Sequence, residues 1–224
     1  MATYYNPQIV TNSLVLCLDA ANTKSYPGSG TTWMDLSGRG NTGTLTNGPT
    51  FSSANGGSIV LDGVNDYVQS TSFSSQLTTD ITVEAWIYIT ATASDWVRIN
   101  GTGGNGGNRT FGLWYSTSRS LLWQRYGASD PGIFPSNVLD LATWYYVAAT
   151  TSGSSHVVYV NGSSIGTATA SGPWASSSEN ITVGFAGFHA YHNGRISNTR
   201  IYNKALTAQE IQQNFNALRS RYGI

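Results

Sequence analysis

The sequence predicts an all-β protein, an antiparallel jelly-roll β-sandwich closed by one short C-terminal α-helix. Three observations carry that expectation. Short segments of alternating apolar and polar residues recur along the chain, separated by Gly, Asn, Ser and Pro clusters, the pattern of strands joined by tight turns. Asn161-Gly162 stands between two such runs, where a type I′ hairpin turn wants positive φ at both central positions. Only near Leu206 does the period change. Thr207 and Glu210 have the spacing of a capping box, and Ile211, Phe215 and Leu218 then share one helical face. A single helix after so many strand-like segments is expected to dock on a sheet.

Residues 1–13 are polar, contain Pro7 and show no alternation, so they read as an extended arm ahead of one domain over residues 14–224. Tyr4, Tyr5, Ile9 and Val10 need a surface to pack on, which this reading assigns to a second copy or another protein of an assembly. Leu14 to Leu18 is apolar and holds the single cysteine, Cys17, as a small buried hydrophobe. Tyr26 to Gly30 and Ser37 to Asn41 are turn clusters, with Trp33 between them as a core anchor. Over residues 80–89, Ile81, Val83, Ala85, Ile87 and Ile89 share one face, and Thr82, Glu84, Trp86 and Tyr88 the other. Two largely apolar faces mark a central strand. Asn100 to Asn108, rich in Gly and Asn, reads as a long loop. Phe111, Leu113 and Tyr115 share a face and leave Trp114 pointing outward, whereas the facing of Leu121 to Tyr126 stays open. Trp86 and Trp144 are expected in the core, and the helix over residues 207–221.

Composition sets further limits. All-β sandwiches commonly reach 224 residues as one domain. Lys plus Arg and Asp plus Glu number 11 each, and charged residues are only 10% of the chain, so Ser, Thr, Asn and Gly must build the surface. That leaves no basic footprint for nucleic acid or an anionic membrane. The N-terminus lacks a basic and apolar secretory leader, and no stretch approaches the ~18 apolar residues of a membrane span. The expectation is a chain made in the cytosol and not inserted in a membrane.

The closing segment Tyr202-Asn203-Lys204-Ala205-Leu206-Thr207-Ala208-Gln209-Glu210-Ile211 resembles the C-terminal signature of laminin-G-like domains in the concanavalin A-like lectin/glucanase superfamily. Leu14 to Ala20, Trp33 to Asn41 and Ile59 to Val68 match in order, as do Val83 to Ile87, Trp144 to Ala148 and Val158 to Gly162, so the resemblance covers residues 12–222. The wording looks most like that of such domains in structural proteins of tailed bacteriophages. It implies a virion component, for capsid decoration or in a tail or fibre, assembled in the host cytoplasm and exposed on the particle exterior. A stand-alone lectin or adhesin is the alternative, and a glycoside hydrolase the remaining one.

Retaining glycoside hydrolysis needs two carboxylates ~5 Å apart. The chain contains only Glu84, Glu179 and Glu210, with no Glu-x-Asp-x-Glu strand as in the superfamily's glucanases, so no enzyme activity is expected. Some relatives use calcium, for which Asp62, Asp66 and Asp19 are the candidate oxygen donors, set against turn capping by the same carboxylates. No metal or other cofactor is assigned. Glycan binding has the clearer basis, because sugar rings present flat C–H faces to aromatic rings while neutral polar groups satisfy the hydroxyls. Trp96, Arg109, Trp114, Tyr126, Trp174 and Tyr191 are the candidate ligand-binding residues, in the company of Asn105, Gln124, Arg125, Asp130 and His189. A large sandwich core would use the same tryptophans.

Overall fold

A computed structural model describes every residue except 1–6, 72, 103–108, 128–131, 133–135 and 188. The strands run in chain order as β1 (Leu14–Asp19), β2 (Thr32–Trp33), β3 (Gly43–Thr46), β4 (Thr50–Ser52), β5 (Ser58–Asp62), β6 (Tyr67–Ser70) and β7 (Ile81–Ile89). There follow β8 (Val97–Thr102), β9 (Phe111–Tyr115), β10 (Leu121–Arg125), β11 (Trp144–Ser152), β12 (Ser155–Val160), β13 (Ser163–Thr169), β14 (Ile181–Val183) and β15 (Asn193–Tyr202). The helix α1 (Ala208–Leu218) continues into a 3-10 turn, Arg219–Tyr222, so the helical segment lies where the sequence places it.

Among the described residues these strands form two antiparallel sheets. An eight-stranded sheet has the order β13-β12-β11-β7-β15-β5-β4, with β1 also paired to β15, and a seven-stranded sheet has the order β10-β9-β8-β14-β6-β3-β2. The ten residues of β15 divide one edge, Asn193 to Ile196 pairing with β5 and Asn198 to Tyr202 with β1. Strand β7 lies between β11 and β15, the central position its two apolar faces call for. Asn161 (φ 50) and Gly162 (φ 80) turn β12 into β13, as the Asn-Gly signal requires.

The main core lies between the sheets. It takes Ile81, Val83, Ala85 and Ile87 of β7, Phe111, Leu113 and Tyr115 of β9, and the fully buried Trp33. A second apolar layer separates the eight-stranded sheet from α1, built from Cys17, Trp86, Trp144, Tyr146, Tyr202, Ile211, Phe215 and Leu218. Trp86 is stacked between Phe215 (centroids 5.7 Å apart) and Tyr222 (3.9 Å). The Thr207 hydroxyl accepts from the Glu210 amide while Glu210 accepts from the Thr207 amide, the full capping box.

Glu84 also faces this layer. Fully buried, it accepts hydrogen bonds from Arg200, Tyr146 and Asn214. Asn214 Oδ1 in turn takes the Val10 amide at 2.7 Å, and Tyr202 donates to the Val10 carbonyl. For two of the arm's four apolar residues this chain itself supplies a surface. Val10 is buried and Ile9 packs in the same layer, against this chain's own helix. Gln213 Nε2 donates to the Gln8 carbonyl and extends the contact. Tyr4 and Tyr5 lie outside the described residues.

The loop expected from Asn100 to Asn108 is corrected in part. Asn100 to Thr102 complete β8, because a bulge between Arg98 and Asn100 turns the Asn100 amide into the interior, where it donates to Thr199 Oγ1 at 2.7 Å. Residues 103–108 of that stretch lie outside the described residues.

Candidate functional site

The two outer faces of the sandwich differ. Helix α1 covers that of the eight-stranded sheet, while the outer face of the seven-stranded sheet presents side chains directly. Alternation sets which ones: with Val97, Ile99, Phe111, Leu113, Leu121 and Trp123 turned into the core, Arg98, Gly112, Trp114, Leu122 and Gln124 point outward. Gly101 and Gly112 face each other across the β8–β9 pair. A Cβ on Gly112 would lie 2.2 Å from Trp114 Nε1, and one on Gly101 would meet the Phe111 carbonyl of β9 at 2.5 Å, with Arg98 Cδ beyond it at 3.1 Å. The two glycines therefore make a flat bed on which the Trp114 indole and the Arg98 side chain lie along the sheet.

Trp96, Arg109, Trp114, Leu122, Gln124 and His189 line a cavity of about 220 Å³ on this bed. Trp114, only 1% exposed, is the floor, and half-buried Trp96 forms an accessible wall. The His189 ring meets Trp114 edge-on at 5.3 Å, and its Nδ1 is 2.9 Å from Asp95 Oδ2. That hydrogen bond, together with one from the Trp96 amide, holds the Asp95 carboxyl below the usual carboxylate range. The Arg109 guanidinium lies 5.7 Å from the Trp114 ring and 5.4 Å from Tyr126. Arg109 Nη1 donates to Tyr126 Oη at 2.8 Å, and Tyr126 donates to Gln124 Oε1. Beside Trp114, Arg98 stacks at 4.5 Å from the ring, donates to Thr182 Oγ1, and has its pKa pushed down to about 9, chiefly by burial.

Of the six candidates, Trp96, Arg109 and Trp114 meet in one cavity, and Tyr126 braces it through Arg109 and Gln124. The outward facing of Trp114 agrees with the alternation of β9, but its expected exposure is corrected: Arg98, Arg109, His189 and Leu122 pack around it. Trp174 lies apart, beside a second cavity of about 190 Å³ with Thr110 and Arg125. Arg125 is itself buried, its guanidinium tied to the carbonyls of Thr78, Thr79 and Thr110. Tyr191 also lies outside the first cavity, stacked on Phe185 at 4.1 Å, with Phe185 against Tyr67. Asn105 and Asp130 lie outside the described residues. The sequence reading missed Arg98, although its place between inward Val97 and Ile99 marks an outward side chain, and it missed Leu122.

The carboxylates considered for calcium or catalysis have other partners. Asp62 Oδ1 accepts from the amides of Val64, Asn65 and Asp66, foremost Val64, and these bonds hold its carboxyl below the usual range against the opposing effect of burial. Asp66 takes the Asp62 amide, and Asp19 binds Arg221 with both oxygens at 3.0 Å. Among the described residues no three His, Cys, Asp or Glu side chains gather as a metal site. Glu84 is enclosed beneath α1, and Glu210 serves its cap and Lys204.

A sandwich with one helix-covered face and a small aromatic-lined cavity on the other has the architecture of a lectin-like module. The chain belongs to the Laminin_G_3 family of the concanavalin A-like lectin/glucanases superfamily, whose model matches residues 62–212, more than half its length. No curated protein matches it. Among solved structures it is similar to the Trypanosoma rangeli sialidase (TM-score 0.72, 20% identity, 95% of this chain and 34% of that one). It is also similar to the binding domain of Paraclostridial Mosquitocidal Protein 1 (TM-score 0.70, 16% identity, 92% of this chain and 52% of that one). The receptor binding domain of botulinum neurotoxin C/D mosaic serotype is a third (TM-score 0.72, 15% identity, 92% of this chain and 51% of that one). The chain thus spans about a third of the sialidase and about half of each toxin domain. At these identities the likeness shows the fold alone.

Proposed function

We propose that this chain is a non-catalytic carbohydrate-binding module that takes a sugar on the open face of its seven-stranded sheet. The observation that carries the reading is the cavity in which Trp96 and Trp114 stand beside Arg109 and Gln124. An aromatic wall packs on the C–H face of a sugar ring, and the guanidinium and amide can serve its hydroxyls. At about 220 Å³ the cavity is smaller than the ~300 Å³ where drug-sized pockets begin, which suits one ring and weak binding per copy. Family membership in a lectin-containing superfamily supports the same reading.

The non-catalytic part rests on the three glutamates, since Glu84 and Glu210 are committed to structural partners and Glu179 has no neighbouring acid in its Ser-rich stretch. We place the module on the exterior of a virion, on the strength of the ordered sequence segments that resemble tailed-phage structural proteins. Display in many copies would raise weak single contacts to useful avidity through effective concentration. A glycan array probed with an engineered multimer, beside a reducing-sugar release assay, tests this reading. Glycans should be retained and none cleaved, with Trp96→Ala lowering retention about tenfold, the ~1.4 kcal/mol scale of one aromatic contact. No retention by the multimer would overturn the carbohydrate reading, and released sugar the non-catalytic one.

A further inference from the structure

We propose that the sugar held in this cavity is acidic, with a carboxylate or sulfate group seated against Arg109 and favoured by the buried charge of Arg98. The inference rests on the carbohydrate-binding reading of the same cavity. It starts from a charge without a counter-charge. None of the ion pairs among the described residues involves Arg98 or Arg109. Arg98 is 0% exposed, and of its three nitrogens only Nη1 has an acceptor, Thr182 Oγ1 at 3.1 Å, while Nε and Nη2 are buried without one. Arg109 Nε is buried without an acceptor as well.

Both guanidiniums flank one indole, at 4.5 and 5.7 Å from its centroid, so one cation lines the small cavity and a second lies buried beside its Trp114 floor. The Trp114 ring offers each a cation–π contact, but an aromatic face does not neutralise a buried guanidinium. Asp95, the nearby acid, is engaged with His189 and the Trp96 amide. Arg109, unlike Arg98, lines the cavity and is partly exposed, so it is the group a ligand touches. A planar guanidinium matches a carboxylate or sulfate edge, and Arg98 adds attraction through an interior that screens it poorly. A neutral sugar satisfies hydroxyl geometry but leaves the excess positive charge in place.

The test is an array of matched glycans sharing one skeleton and ending in a neutral, a carboxylated or a sulfated sugar, probed with the engineered multimer. Acidic members should exceed neutral ones about tenfold, the scale of one charge-assisted hydrogen bond, and the two acidic arms separate carboxylate from sulfate. Arg109→Gln should bring acidic members down to the neutral level, Arg109→Lys should keep part of the preference, and the remote Arg195→Gln should leave it intact. For the wild-type multimer the preference should shrink as NaCl is raised, a readout independent of any variant's folding. Equal or better retention of neutral members, or a preference untouched by Arg109→Gln or by salt, would overturn the inference while leaving the carbohydrate reading standing. Retention of no member at all would remove that reading and the inference with it.

Discussion

Gly112 decides where Trp114 lies. Because its missing Cβ would sit 2.2 Å from the indole nitrogen, the ring can rest flat on the strand and leave the cavity open above it. Gly112→Ala should therefore lift the indole into the cavity, costing about 1–3 kcal/mol as an overpacked site and abolishing glycan retention although residue 112 need not touch the sugar. Equilibrium unfolding and array retention check both effects, and a variant with normal retention would place the sugar elsewhere. The direction of Trp114 was legible in the sequence, since alternation along β9 alone sets it. Its burial was not, because Arg98 reaches it across the β8–β9 pairing and His189 from a loop far along the chain. The same limit applies to Glu84, whose outward facing follows from Val83 and Ala85, while its partner Arg200 stands opposite only through the β7–β15 register.

Among the elements, α1 was the most legible, since its cap and apolar stripe are local patterns. The arm was not, because a short irregular segment carries no periodicity to show what it packs on. In the structure it closes a buried polar network: Val10 offers its amide to Asn214 and its carbonyl to Tyr202, and both of those residues connect to Glu84 or to one another. Removing residues 1–11 should strip Asn214 of an acceptor role and uncover Val10's place in the apolar layer. The expected loss is about 2–4 kcal/mol, combining one buried valine with newly unsatisfied polar groups. A lower urea midpoint at unchanged slope is the signature, and an unaltered midpoint would mean the arm contributes nothing to its own domain.

At the scale of the whole molecule, the two sheets are held by more than apolar packing. Asn100 of β8 bonds Thr199 of β15, Trp123 of β10 bonds Thr151 of β11, and Tyr115 of β9 meets His192 beside the start of β15 with Oη and Nδ1 3.0 Å apart. His192 is wholly buried, and burial pushes its pKa from the ordinary 6.5 down to about 4 despite opposing backbone hydrogen bonds. A base with a depressed folded pKa refuses a proton that the unfolded chain accepts, so its effect on stability is absent above about 6.5 and grows as pH falls toward 4. At roughly 1.4 kcal/mol per pKa unit the loss across that window is about 3 kcal/mol. Burial lowers His156 in the same direction, whereas the lowered carboxyls of Asp62, Asp95 and Glu210 act only at more acidic pH, and burial of Asp66, with the charge of Asp62, raises its carboxyl and works the opposite way. Urea unfolding between pH 7.5 and 4.5 should therefore show stability nearly level down to about pH 6.5 and falling below it, with a visibly shallower fall in His192→Gln despite that variant's lower stability at neutral pH. Equal slopes in the two proteins would show that the His192 bridge between the sheets is not what acid loosens.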